Sequence, residues 1–218
     1  MPFESAWPIP FILDPLHLEV GSATAFCISV LLAVLVNAEG QAFAATILGD
    51  ARQNPQDRFH FNVFLHLSLL GTICYLVGGF GWPRTIDVDP GKFKHARTYL
   101  VITRFAGPIF NLLLASIAGA LASLLNTLNY PSRVLVMVLG VSVTTAVYNL
   151  IILPPLAGGF LFLELLPPRF ATGKRILLQA GPFLILALAL LERLQPQGFV
   201  SPYLNPLIRA IFHYLLGG

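Results

Sequence analysis

The chain of 218 residues is 56% hydrophobic and only 11% charged, with a mean hydropathy of +0.77. Water-soluble domains contain about 25% charged residues because their surfaces must be hydrated, so this composition excludes an ordinary soluble globule and predicts an integral protein of the lipid bilayer. The net charge of +3, without any basic stripe, excludes a nucleic-acid partner.

Several apolar segments predict membrane helices, because about 20 apolar helical residues cross a hydrocarbon core of about 30 Å. Four segments are long enough, at residues 20–45, 61–79, 99–125 and 132–153. The run at 158–166 is too short, 176–191 is a marginal span interrupted by Gly181-Pro182, and 204–216 predicts an interfacial or docking helix. We therefore predict an all-α polytopic membrane protein with about five or six membrane helices.

No repeat or low-complexity linker divides the chain, which predicts one integral membrane domain over residues 1–218. Within it we expect an interfacial leader at 1–19, a core at 20–166 and C-terminal helices at 167–218. The basic connections 81–97 and 167–175 favour the cytoplasmic side. The acidic N-terminus, which lacks lysine, would then lie on that side too, so the orientation stays open.

Polar side chains interrupt the apolar spans at seven positions. They are Asn37, Glu39, Gln41, His66, Arg104, Asn111 and Asn149. Such groups are costly in hydrocarbon and often functional, although the bundle interior can also satisfy them with interhelical hydrogen bonds. We treat all seven as candidate buried polar or groove contacts, and a buried Glu39–Arg104 pair is one arrangement that fits.

Five segments of the chain carry recognisable motifs. They are VNAEGQAFAATILGD (36–50), RFHFNVFLHLSLLGT (58–72), GGFGWPRTIDVDPGKF (78–93), RFAGPIFNLLLA (104–115) and YNLIILPPLAGG (148–159). In this order they resemble the site-2 protease family, which are intramembrane zinc metalloproteases. The resemblance implies a site-2-protease-like core of membrane helices with a short strand-like or re-entrant loop.

The same resemblance shows which catalytic groups are replaced. The family's two zinc-binding histidines fall on Asn37 and Gln41, its general-base glutamate on Ala38, and its aspartate ligand on Ala157. Neutral amides are poor zinc ligands, and alanine offers no ligand atom. We therefore predict no catalytic residue, no metal, no cofactor and no enzyme activity, with Asn37 and Gln41 bonding each other or a partner.

A substitute metal site is the main alternative within the sequence. It would combine Glu39, His60 and His66. Glu39 lies about 200° around the helix from Asn37. His60 and His66 are six residues apart, a spacing that places two side chains poorly on one helix face, so this site requires three coincidences.

Two further segments predict breaks in regular helix. Gly107-Pro108 predicts a break or kink, where Asn111 could bond the backbone groups that lose their helical partners. Residues 154–159 predict a non-helical element.

These observations favour a catalytically inactive, site-2-protease-like membrane protein. We expect it to act by binding, as an accessory or scaffolding subunit of a larger membrane protein complex in the bacterial inner membrane. Two alternatives stay open. One is a membrane hydrolase with a non-standard metal site, and the other is a transport subunit or one that binds a pigment, a quinone or another small molecule.

Overall fold

The computed structural model describes residues 19–51, 59–195 and 198–217. The predicted leader at 1–19 therefore lies outside the described residues except for Glu19, and so does Arg58. The α-helices of the described ranges are α1 (Val20–Ile47), α2 (Val63–His66), α3 (Leu69–Gly78), α4 (Ala96–Thr127), α5 (Arg133–Tyr148), α6 (Ala157–Leu165), α7 (Ala171–Leu194) and α8 (Ser201–Leu216). Short 3-10 turns lie at Pro90–Lys92 and Pro168–Phe170.

Three helices, α1, α4 and α7, are long and apolar enough to cross a membrane, judged by length and composition. α3 and α5 are apolar as well but contain only 10 and 16 residues. The prediction of an all-α membrane protein is confirmed at this level for the described ranges. The number of about five or six membrane helices stays a prediction.

The predicted second span, residues 61–79, is not one helix. Asn62 caps α2 by accepting a hydrogen bond from the Phe64 N–H (3.1 Å), and Ser68 caps α3 by accepting one from the Gly71 N–H (3.2 Å). Leu67, between the two helices, is extended. Capping side chains offer the backbone partners that compete with a continuous helix, so the single-helix prediction is wrong here.

The turn between α5 and α6 is set by Asn149. Its side-chain Oδ1 accepts a hydrogen bond from the Ala157 N–H (3.4 Å), and its carbonyl accepts one from the Gly158 N–H (2.8 Å). These N–H groups belong to the first turn of α6 and have no partner inside the helix. The predicted non-helical element at 154–159 is therefore confirmed as far as Leu156 and wrong from Ala157 onward.

Two internal prolines do not end their helices. α4 continues through Pro108 and α7 continues through Pro182, so the predicted interruption at Gly181-Pro182 is wrong. Packing against neighbouring elements lets apolar helices tolerate proline, and Gly181 lies directly against the Pro154 carbonyl, where a Cβ atom would clash. The prediction for Asn111 is also wrong, because both polar atoms of its buried side chain lack a hydrogen-bond partner within the described residues.

The core is formed where α1, α4 and α5 pack together. α5 is buried continuously from Val136 to Tyr148 because its small and β-branched side chains allow neighbours on all sides. α8 packs on α4 and α5, and Ser123 donates a hydrogen bond to the Leu216 carbonyl (2.9 Å). α7 packs against α3. This arrangement places α4 beside both α1 and α6.

The extended connection at residues 80–89 follows the left-handed C-cap Gly79 and runs beside the break between α2 and α3. The Arg84 N–H donates to the His66 carbonyl (2.6 Å), and Leu67 pairs with Pro83 in an isolated antiparallel bridge. Proline has no backbone N–H to donate to a neighbouring strand, so the pairing of backbone groups does not extend through Pro83. Apart from this isolated bridge the described ranges contain no strand, so the strand-like or re-entrant loop stays a prediction.

Candidate functional site

A small open cleft lies where α1, α4, α6 and the extended connection meet. Its lining residues are Asn37, Gln41, Trp82, Pro83, Thr85, Arg104, Asn149, Pro155, Ala157 and Phe160. Three of the positions that the resemblance assigns to zinc ligands, Asn37, Gln41 and Ala157, therefore meet in one cleft. Ala38 is buried in α1 and does not belong to the lining.

The close approach of α4 to α1 brings Asn37 and Gln41 into this cleft. The two residues are one helical turn apart on α1, so their side chains share a face. Gly107 of α4 lies directly against both side chains, and a Cβ atom there would clash with Asn37 Oδ1. Glycine at this position is required by the packing of two helices and not by any turn.

A chain of hydrogen bonds joins three side chains in the cleft. Arg104 Nη1 donates to Gln41 Oε1 (2.9 Å), and Gln41 Nε2 donates to Asn37 Oδ1 (2.8 Å). Arg104 Nη2 also donates to the Ile86 carbonyl (3.3 Å), which ties the extended connection to α4. The guanidinium lies 4.7 Å from the centroid of the Phe160 ring. Asn37 and Gln41 therefore do bond each other, as predicted.

Glu39 does not pair with Arg104, so that prediction is wrong. Glu39 Oε1 accepts a hydrogen bond from the His60 N–H (2.9 Å) and lies 3.1 Å from His66 Nε2. Glu39 points away from the cleft because two residues along a helix turn the side chain by about 200°. The difference arises because His60 and His66 lie within hydrogen-bond distance of Glu39, whereas Arg104 bonds Gln41 instead.

The structure does bring together Glu39, His60 and His66, the three residues of the alternative metal site. His66 Nε2 lies 2.6 Å from the His60 carbonyl, and the two imidazole centroids are 6.4 Å apart. A carbonyl only accepts hydrogen bonds, so His66 Nε2 carries a proton and its lone pair is not free for a metal. Within residues 19–51, 59–195 and 198–217, no group of three or more His, Cys, Asp or Glu side chains could hold a metal ion.

The chain is 32% identical over 152 residues to a protein of Bacillus subtilis (strain 168) named "Putative zinc metalloprotease YwhC". The alignment covers 65% of this chain and 68% of that protein. The chain belongs to the zinc metalloprotease family of YwhC. No protein-family model and no solved structure matches the chain. Membership of this family, together with the apolar helices, makes the chain a site-2-protease-like membrane protein.

The residues that line the cleft do not fit the zinc ion of this metalloprotease family. Protein zinc sites use histidine nitrogen, cysteine sulfur or carboxylate oxygen, whereas the assigned ligand positions hold the amides of Asn37 and Gln41 and the methyl group of Ala157. The Arg104 guanidinium adds a positive charge that bonds Gln41 directly. No zinc-dependent step is assigned to these residues.

The seven candidate polar contacts thus separate into three groups. Asn37, Gln41, Arg104 and Asn149 line the cleft. Glu39 and His66 form the second cluster, and Asn111 lies in neither. The lining also includes Trp82, Thr85 and Phe160, which were not among the candidates. The motif segment at 78–93 was the signal for Trp82 and Thr85, whereas Phe160 directly follows the segment at 148–159.

Proposed function

We propose that this protein is a non-catalytic member of its metalloprotease family that acts by binding. It serves as an accessory or scaffolding subunit of a larger protein complex in the bacterial inner membrane. The observation that carries the proposal is the Arg104–Gln41–Asn37 hydrogen-bond chain, which occupies the cleft positions where the resemblance places zinc ligands.

Electrostatics supports the loss of the metal. Two like unit charges 4 Å apart repel by about 4 kcal/mol at an effective dielectric constant of about 20, and a divalent ion doubles this energy. A cation held by the Gln41 and Asn37 side chains would lie close to the guanidinium that bonds Gln41. The Ala38 methyl group, at the position of the general base, cannot accept a proton from water.

The exposed surface of α8 supports an accessory role. Tyr203, Leu207 and Tyr214 are exposed, whereas Ile208 is buried against the core. Aromatic side chains are enriched in the centres of protein interfaces. In a membrane protein such a surface faces either lipid or a neighbouring subunit, and the proposal assigns part of it to a subunit.

Purification in mild detergent tests the proposal. We expect the protein to migrate in a complex larger than its chain mass of 23.7 kDa and to contain far less than one zinc per chain by elemental mass spectrometry. Migration as a lone chain would contradict the accessory role. Stoichiometric zinc, or peptide-bond hydrolysis that a chelator abolishes, would contradict the non-catalytic assignment.

A second candidate function is a hydrolase with a non-standard metal site. The convergence of Glu39, His60 and His66 favours it, although the proton on His66 Nε2 opposes it. Measuring zinc in the Glu39→Gln and His66→Ala variants separates the two functions. A hydrolase with this metal site would lose its bound zinc in each variant, whereas a non-catalytic protein has no bound zinc to lose. A pigment or quinone that co-purifies in stoichiometric amount would instead favour a small-molecule-binding subunit.

A further inference from the structure

The Arg104 guanidinium determines the direction of the whole hydrogen-bond chain. Arginine has only donors, so Gln41 must present Oε1 to it. Gln41 Nε2 is then the donor that faces Asn37, and Asn37 must present Oδ1. The free end of the chain is consequently the Asn37 Nδ2 group, a donor. An amide flip at either residue would set a donor against a donor.

The unused groups at both ends of the chain are therefore donors. Asn37 is 1% exposed and Arg104 is 8% exposed, and both line the cleft. Asn37 Nδ2 and Arg104 Nε have no hydrogen-bond partner within the described ranges. Leaving buried donors unpaired is costly, and each such group needs an explanation.

We propose that the cleft is an anion site that takes a carboxylate at Arg104, with a neutral acceptor such as a peptide carbonyl at Asn37 Nδ2. A zinc site offers lone pairs to its ion, whereas the unpaired groups of Asn37 and Arg104 in the cleft lining are N–H donors. The replacement of ligands thus inverts the polarity of the site. The inference rests on the proposed non-catalytic function and names the chemistry of what this cleft binds.

Carboxylate chemistry suits the lining better than a bulkier anion. Guanidinium groups bind planar carboxylates through paired N–H donors, and the small cleft, which Trp82, Pro83 and Phe160 help to line, favours a compact anion. The exposed Asp87 carboxylate already attracts Arg104 electrostatically. A ligand carboxylate would use the same attraction from inside the cleft.

Thermal unfolding of the detergent-solubilised full chain tests the site with three probes. Sodium acetate carries a carboxylate alone. N-acetyl-alanyl-alanine, the dipeptide acid, carries a carboxylate and carbonyls. The same dipeptide with an amidated C-terminus, the dipeptide amide, carries carbonyls alone. At saturating probe we expect a rise in midpoint of about 2–4 °C with acetate and a larger rise with the dipeptide acid. The dipeptide amide, and sodium chloride at equal ionic strength, should give less than half of the acetate shift.

Matched variants assign the response to the cleft. Arg104→Gln should lose the acetate shift, and Asn37→Leu should lose the advantage of the dipeptide acid over acetate. Arg97→Gln removes an exposed arginine from the same helix and should keep both responses. Equal shifts with acetate and chloride, or an unchanged acetate shift in a folded Arg104→Gln variant, would overturn the proposal. If Arg104→Gln does not fold, the difference between the dipeptide acid and the dipeptide amide on the wild-type protein tests the carboxylate site alone.

The outcomes separate the two proposals. A zinc-containing protein would refute the non-catalytic function whatever the probes do. A zinc-free protein in its larger complex that responds equally to acid and amide would refute only the carboxylate site. Equal shifts with acetate and with the dipeptide acid would assign the recognition to the carboxylate and remove the peptide carbonyl from the proposal.

Discussion

Arg104 on α4 lies over the ring of Phe160 on α6, with 4.7 Å between the guanidinium carbon and the ring centroid. The contact joins the helix that carries the positive charge to the helix that begins at Ala157. A cation over an aromatic face is stabilised by about 0.5–1 kcal/mol at exposed sites and about 2 kcal/mol when desolvated. Phe160 therefore holds the guanidinium against the cleft.

Replacing this ring tests that role. Phe160→Leu keeps an apolar side chain but removes the aromatic face, and we expect the free energy of unfolding to fall by about 1–2 kcal/mol. The acetate response should also weaken, because the guanidinium is held less firmly. Equilibrium unfolding in detergent measures the first effect. Phe162→Leu, on the same helix and 38% exposed, is the control. It should change the free energy of unfolding and the acetate response less than Phe160→Leu does.

Restoring the family's zinc ligands tests whether Arg104 opposes a metal. The combined variant Asn37→His, Ala38→Glu, Gln41→His and Ala157→Asp should still bind little zinc, because the guanidinium charge remains in the cleft. Adding Arg104→Gln should raise the zinc content at least several-fold, as expected when a repulsion of several kcal/mol is removed. Elemental analysis after dialysis against a weak chelator measures the difference. Equal zinc contents in the two variants would show that Arg104 does not oppose the metal.

The packing of Gly107 predicts opposite effects at two glycines. Gly107→Ala places a Cβ against Asn37 and Gln41 and should destabilise the protein by about 1–3 kcal/mol through overpacking. Gly21→Ala on α1 meets open space and should stabilise the helix by about 0.5–1 kcal/mol. Thermal unfolding of both variants measures the contrast. A neutral Gly107→Ala would mean that α4 can move away from α1 at no cost.

Glu192 caps α8 across the α7–α8 connection. Its carboxylate accepts hydrogen bonds from the backbone N–H groups of Phe199 (2.5 Å), Val200 and Ser201 (3.3 Å). The N-cap residue Val200 makes no side-chain cap bond of its own. Glu192 thus supplies the acceptor that the helix terminus needs.

Removing this carboxylate should loosen the start of α8. For Glu192→Ala we expect a loss of about 1–3 kcal/mol, because hydrogen bonds to a charged group are lost. Amide hydrogen exchange at residues 199–201 should increase by at least tenfold, while exchange in α5 changes less. Glu164→Ala, which removes a half-buried carboxylate from α6, is the matched control. Unchanged exchange at 199–201 would refute the capping role.

The sequence by itself determined the class of the molecule. Its low charge content and long apolar runs require a bilayer, since no soluble surface can be built from them. The motif segments also predicted which positions meet, because Asn37 and Gln41 share a helix face wherever α1 lies. The identities of those residues do not fit an ordinary zinc site at the assigned positions.

Only the tertiary structure decided how the polar groups pair. The sequence allowed a Glu39–Arg104 pair, but in the structure Glu39 bonds His60 and Arg104 bonds Gln41. Continuity of α4 and α7 through proline likewise depends on neighbours that no local pattern contains. Hydrogen bonds between distant residues depend on helix rotation and close approach, here set by Gly107, and these are properties of packing.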